Sequence, residues 1–497
     1  MTKTEKTTRS RAREYLPAVR IFFDGNLYPA LVAAAVLLGH VTALELYSFI
    51  LIISAASLAF FVCDTAKPFI PTLLTFVYLV NLKHSPGFPS WSDYYSKTYV
   101  VAIAIAVFSL LFISAVYFMA RHVVKKLSFK KSPLLLPLTL LSAAFITNGA
   151  FSSAWTPANL IFGLAEAAVF FILFYLLYYG LEGENVNKLI DYVCYVALLA
   201  AMVLIGEMIF MYLTNSDILN ANGAIAKEKI SLGWGISNPI GSALVILIPL
   251  LMLGAVKCKY RSVYLITAIL TCLTTVLTLS RNAILLCVLI FTASFITVYL
   301  LSDSKKALNV TLGFGAGATI IFALIFREKI GELLTHFSTL GTNDSGRFDL
   351  WRHATDNFLT APIFGRGFFG WGETEITEMA SFLPPMAHNT VFQLMSAMGI
   401  FGLASYVFYR VKTLLPFFKR ISREKLMLLY SVLSLLLGSL LDNFVFYFHS
   451  AFLYVVILAI VFRMNDYEED WIRAHAYNED YDELNDSDDE DDDDYYV

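Results

Sequence analysis

Arg281 and His388 are polar groups held at the ends of long apolar runs, where lipid-soluble sequence has little use for them, and Arg347 is a cation in the long polar stretch between two such runs. Arg281 sits in the short turn Ser280-Arg281-Asn282 between two such runs, and His388 opens the run that begins at His388-Asn389-Thr390. Arg347, Arg352 and Arg366 lie with Trp351 in the polar stretch 327–387 that precedes it. Guanidinium groups grip anionic oxygens bidentately, and an imidazole near neutrality takes a proton from a hydroxyl. Anion binding is therefore the chemistry the arginines suggest, whereas His388 alone reads as a helix-end histidine. Gly365-Arg366-Gly367 reads as a donor-rich turn able to hold phosphate oxygens; alone, a plain turn is the simpler reading. Arg281 alone reads equally well as a snorkelling turn residue.

Further ionisable groups fall inside the apolar runs. With a helix rise of about 1.5 Å per residue, Glu166 and Glu207 lie roughly 12 Å from the ends of their spans. Asp442 occupies the turn between the last two runs, and His449 follows about two turns later. Charges at such depth are costly and mark cavities or pathways, although pairing with a neighbouring helix is the plainer reading for both glutamates. Glu166, Glu207, Asp442, Arg366, Asn389 and Trp351 are retained as candidate substrate-binding residues.

The elements that must position these groups are membrane helices. The chain is 58% hydrophobic and 15% charged, whereas a soluble chain carries about 25% charged residues. Several runs reach the roughly 20 residues that cross a bilayer, and only helices satisfy their own backbone in lipid without the alternation of a barrel. The expected fold is all-α, a polytopic bundle of 12 to 14 transmembrane helices with one large loop bearing short amphipathic helices. The first and third spans, 28–39 and 69–82, are short enough to be partial or re-entrant. The expected division is a basic N-terminus (1–27), a first part of the bundle (28–326), a catalytic loop (327–387), the last part of the bundle (388–463) and an acidic disordered tail (464–497). Within the loop, 327–334 reads as one short helix. From Arg347 a second should expose an apolar side of Phe348, Trp351, Thr355, Phe358 and Leu359 to the membrane surface.

Lys and Arg cluster in alternate loops, which places both termini in the cytoplasm and 327–387 outside. The formal net charge of −4 hides a basic body, because Glu479 to Asp494 alone holds 12 acidic residues. No cleavable signal peptide is apparent. The five cysteines lie in or beside spans without metal spacing. No metal, cofactor or nucleic-acid partner is expected; membrane lipid is.

Three segments together resemble the O-antigen ligase superfamily, which includes lipid-linked polysaccharide polymerases. They are Leu279-Ser280-Arg281-Asn282; Gly346-Arg347-Phe348-Asp349-Leu350-Trp351 with Ala361-Pro362-Ile363-Phe364-Gly365-Arg366-Gly367; and His388-Asn389-Thr390-Val391-Phe392-Gln393-Leu394 with Gly399-Ile400-Phe401-Gly402. Ser237-Asn238-Pro239 also fits. The resemblance implies an enzyme of the cell membrane, active on the extracytoplasmic face. It would move a glycan from undecaprenyl diphosphate to a hydroxyl on a glycan, lipid or protein acceptor. Arg281, Arg347 and His388 match the functional arginines and histidine of the pattern. A polymerase of lipid-linked repeat units shares every one of these features. A lipid-linked oligosaccharide flippase is the alternative from another class, but it should carry cations along a path through the membrane. The extracytoplasmic loops also contain no Asp-x-Asp pair of the kind nucleotide-sugar enzymes use with metal.

Overall fold

The structure, a computed structural model, describes residues 17–79, 97–128, 132–215, 218, 227–301, 305–325, 327, 331, 346–370 and 387–488. Among them the apolar runs form helices: α1 (Pro17–Asp24), α2 (Leu27–Thr42), α3 (Glu45–Val62), α4 (Lys67–Leu79), α5 (Thr98–His122), α6 (Leu135–Ile146) and α7 (Pro157–Gly180). There follow α8 (Val186–Thr214), α9 (Ser237–Lys257), α10 (Arg261–Leu277), α11 (Arg281–Leu301) and α12 (Lys305–Ile325). The last four are α13 (Arg347–Thr360), α14 (Thr390–Phe418), α15 (Arg423–Gly438) and α16 (Phe448–Asp488). The protein is an all-α, multi-pass membrane protein.

Every expected span coincides with a helix, but the helices differ in reach. Eight of those described are long and apolar enough to cross a membrane, or nine if α1 and α2, bent by 63°, count as one span. The first expected span is thus one arm of a bent helix pair, the geometry of a broken span or a re-entrant loop. The third is α4, where Pro68 and Pro71 sit in the first turns and 3₁₀ geometry flanks a six-residue α segment. α6 and α10 are also short. The expected helix over 327–334 and the Pro384-Pro385-Met386 segment lie outside the described residues, apart from Arg327 and Gly331.

α9 is the axle of the bundle. It is apolar on all sides, and its residues from Ile240 to Ala255 are buried against α8, α10, α11 and α15. Gly241 lets α11 approach closely, since a Cβ there would stand 2.5 Å from Cβ of Ala283. That contact brings the first turns of α9 and α11 together.

α16 does not stop at residue 463; its helix runs on through Arg473 to Asp488. The reason is visible at Lys425, which is fully buried and whose ammonium donates to the carbonyl of Lys419 (2.7 Å), to Asn465 Oδ1 (2.7 Å) and to Glu468 Oε2 (2.8 Å). Lys419 pairs with Glu469 one turn further out. These bonds satisfy the C-terminal carbonyls of α14 and tie α15 to α16. Residues 489–497 lie outside the described ones. Lys425→Met should cost about 3 kcal/mol, the low end for breaking a buried pair because Glu468 is partly exposed. A lowered unfolding temperature with preserved membrane insertion checks it.

Nearer the middle of α14, the buried Arg410 guanidinium lies 4.4 Å from the Tyr454 ring centroid on α16 and 4.7 Å from that of Tyr406. It is a cation–π contact between these two helices.

Candidate active site

The N-terminal ends of four helices meet at one cavity of about 450 Å³. α9 contributes Asn238, α11 Arg281 and Asn282, α13 Arg347, Phe348 and Trp351, and the residue before the Asn389 N-cap of α14 is His388. Lys227 and Leu441 complete the polar and apolar sides with Leu285. Helix N-termini carry partial positive charge, so four of them add to the charges of Arg281, Arg347 and Lys227. This concentration of positive charge favours an anion.

Each candidate side chain is held by a specific local device. Leu279 adopts a left-handed conformation (φ 55°) to turn the chain between α10 and α11. Ser237 Oγ donates to the Thr278 carbonyl (2.6 Å), and Ser280 Oγ donates to Asn238 Oδ1 (2.9 Å). The arginine turn is thereby locked to the start of α9. His388 is also left-handed (φ 50°), a conformation that costs a side-chain-bearing residue about 1–2 kcal/mol. Its neighbour Ala387 is clamped from both sides: its N–H donates to Gln393 Oε1 (2.7 Å), and its carbonyl accepts from Trp351 Nε1 (3.0 Å). Trp351 in turn stacks on Phe392, with ring planes 6° apart. Strain held by surrounding contacts at a polar cavity is what a preorganised site requires.

His388 Nδ1 lies 3.0 Å from Asp442 Oδ1. Asp442 is fully buried and also accepts from Asn238 Nδ2 (2.8 Å), the Asn443 N–H (2.8 Å) and the Tyr447 hydroxyl (3.0 Å). Burial pushes its carboxyl up, but the His388 hydrogen bond and charge, with the Asn443 and Tyr447 donors, outweigh this and hold it below the ordinary aspartate range. A carboxylate only accepts, so when the imidazole is neutral its proton sits on Nδ1 and Nε2 is the acceptor. Lys227 is pushed below the usual lysine range by burial and by the charges of Arg281 and Arg347.

The depressed Asp442 carboxyl has a consequence for stability. It stabilises the fold fully above the unfolded value of about 3.9, and this contribution is lost as pH falls through its lower folded value. The unfolding temperatures of wild type and Asp442→Asn should therefore converge as pH is lowered below about 4. A gap that persists unchanged into that range would contradict the depressed carboxyl.

Of the candidate residues, Arg281, Arg347, His388 and Trp351 line the cavity, and Asp442 stands directly behind His388. Others are elsewhere. Arg366 donates through Nη1 to Asn357 Oδ1 (2.9 Å), while the N–H groups of Arg366 and Gly367 donate to the carbonyls of Ser396 and Ala397. The backbone N–H groups of that turn are spent, so they form no phosphate nest. It docks on α14 where Gly399 breaks the helix (φ 63°, ψ −158°), and Ile400 N–H returns a bond to the Pro362 carbonyl (2.8 Å). Cβ atoms at Gly365 and Gly399 would lie 2.3 and 2.5 Å from the opposing backbone, so both glycines serve this junction.

Asn389 caps α14, accepting from the N–H groups of Val391 and Phe392 and donating to the Leu440 carbonyl. Glu207 is buried 3.1 Å from His40 Nε2 and accepts from Trp234 Nε1 (3.0 Å), away from the cavity lining. Glu166 is buried without lining it, beside a π-turn over Ala168–Ile172. His449 bonds Ser242 Oγ (3.0 Å) and reads as a satisfied buried histidine. α13 buries Ala354 and Asn357 against α14 and leaves Phe348 and Leu359 of its expected apolar side exposed, while Trp351 lines the cavity.

Lys227 was not among the residues singled out from sequence. It stands in a polar loop with no motif around it, and only the fold of 227–238 brings it to the arginines.

Residues 266–407 match the family model described as O-Antigen ligase. The matched segment contains Arg281, Arg347, Trp351 and His388; Lys227, Asn238 and Asp442 lie outside it. No curated protein matches the chain.

Proposed function

With the O-antigen ligase superfamily, supported by the match over residues 266–407, as the premise, we propose that this protein is a glycosyltransferase of cell-surface polysaccharide assembly. In this reading it takes a glycan from undecaprenyl diphosphate on the extracytoplasmic face of the cell membrane and joins it to an acceptor hydroxyl, acting as a ligase. The observation that carries the reading is the convergence of Arg281, Arg347 and the His388–Asp442 pair on one cavity.

The acceptor oxygen attacks the anomeric carbon from the side opposite the diphosphate, so the centre inverts. His388 Nε2 takes the hydroxyl proton, and Asp442 stabilises the imidazolium that forms. The bond from the anomeric carbon to the phosphate oxygen breaks with its electron pair on that oxygen. Arg281, Arg347 and the helix N-termini neutralise the leaving group there. The charge of the site comes from side chains. Among the described residues, no three His, Cys, Asp or Glu side chains are grouped to hold a metal, and metal-independent transfer is part of the proposal.

The test is transfer by purified protein in lipid, with undecaprenyl-diphosphate glycan from its own host and a chelator present, resolved by mass on a gel. One discrete shift onto a separate acceptor supports the ligase. A ladder of lengthening lipid-linked chains makes the enzyme a polymerase, with the same donor and site. Donor appearing on the opposite leaflet of sealed vesicles without product overturns the enzymatic reading.

A further inference from the structure

The cavity holds one more cation than its donor needs. A diphosphate esterified at both ends carries two negative charges, which Arg281 and Arg347 match. When the anomeric C–O bond breaks, the electron pair left on the phosphate oxygen adds a third. Lys227 lines the same cavity as both arginines. We infer that Lys227 is a third diphosphate ligand, whose charge answers the negative charge that develops on the leaving group. The inference rests on the diphosphate-donor reading above.

Its position is fixed by a device otherwise without a role. Lys227 and Asn238 stand at the two ends of a loop whose tight turn is closed by Leu232 N–H to the Gly235 carbonyl (2.9 Å). At the tip, Trp234 Nε1 is bonded to the buried Glu207, which is itself paired with His40 (3.1 Å). The Trp234 ring packs on Tyr78 and His449. The other end is fixed by the Asn238 bonds to Asp442 and Ser280. A tryptophan hydrogen-bonded to a buried carboxylate anchors the loop, so Lys227 stays beside two arginines that repel it. Burial and those arginines also push its ammonium below the usual lysine range, which an incoming trianion would reverse.

An interaction that strengthens as the bond breaks raises turnover more than donor affinity. Lys227→Met should therefore lower kcat by about 10- to 100-fold, the loss of one charge-assisted contact, while the KM for donor changes little. Farnesyl diphosphate, singly esterified like the departing product, is the binding probe, read by the fluorescence of the full-length protein in lipid. Wild type should bind it, Arg281→Ala should weaken it, Lys227→Met should weaken it by about 10-fold, and Lys227→Arg should restore most of the loss. Farnesyl monophosphate should distinguish wild type from Lys227→Met far less. If Lys227→Met binds farnesyl diphosphate like wild type while Arg281→Ala does not, the role of Lys227 is wrong and the diphosphate reading stands. If wild type fails to bind it, or Arg281→Ala is without effect, the diphosphate reading falls and takes Lys227 with it.

Discussion

His388→Ala should lower the rate of glycan transfer by about a thousandfold, within the range that a positioned general base contributes, with little change in donor binding. The expectation follows from how the imidazole is held. Its Nδ1 is committed to a buried carboxylate 3.0 Å away, so the ring can turn only one atom towards the cavity. The arginines that hold the donor belong to α11 and α13 and do not depend on that ring. A loss confined to kcat is thus predicted, and a rise in KM alone would show His388 to be a binding residue. Asp442→Asn separates proton transfer from orientation. The amide preserves size but can donate to Nδ1, favouring the wrong tautomer, so a fall approaching that of His388→Ala is expected. If Asp442→Asn retains wild-type transfer while His388→Ala does not, His388 orients the acceptor and moves no proton.

The sequence disclosed the participants of this site better than their arrangement. Arg347 was legible because it is a cation in a polar loop that the charge pattern assigns to the outer face, and Arg281 and His388 because each is a polar group retained at the end of an apolar run, an expensive placement. Asp442 was legible for the same reason, but its attachment to His388 links positions far apart in the chain and has no local signature. Lys227 was invisible, since one lysine in a polar loop is ordinary until the loop's far end proves to be pinned by Trp234 and Glu207. Gly365-Arg366-Gly367 left two readings open, a phosphate-holding turn and the simpler plain turn, for an instructive reason. Glycines that free backbone N–H groups for phosphate look the same as glycines that let two backbones touch, and only the break at Gly399 decides between them. Glu166 and Glu207 show the other limit. Depth in a span identifies a costly charge, but not whether its compensation is a ligand or a neighbouring helix.

Arg281→Ala and Arg347→Ala should each reduce transfer by about 100- to 1,000-fold, the usual loss when one stabiliser of developing charge is removed. Both arginines stand in the first turn of a helix, where the dipole disfavours a cation by about 0.3–1 kcal/mol. Neither alanine should therefore weaken the fold much. The turn carrying Arg281 is held by Ser280 to Asn238 and by Asn282 to the Gly438 carbonyl (3.3 Å), and α13 is held by Trp351 and the buried Ala354. An unchanged or slightly raised unfolding temperature together with collapsed transfer is the signature of cations kept for function. A matching loss of both would make them structural instead. The double variant should lose less than the product of the single losses, because both groups act on one diphosphate. Lysine at either position should recover only part of the activity, since an ammonium restores the charge without the bidentate grip. Full recovery with lysine would mean that the cavity reads charge alone, and the paired-guanidinium account of leaving-group stabilisation would then have to be abandoned.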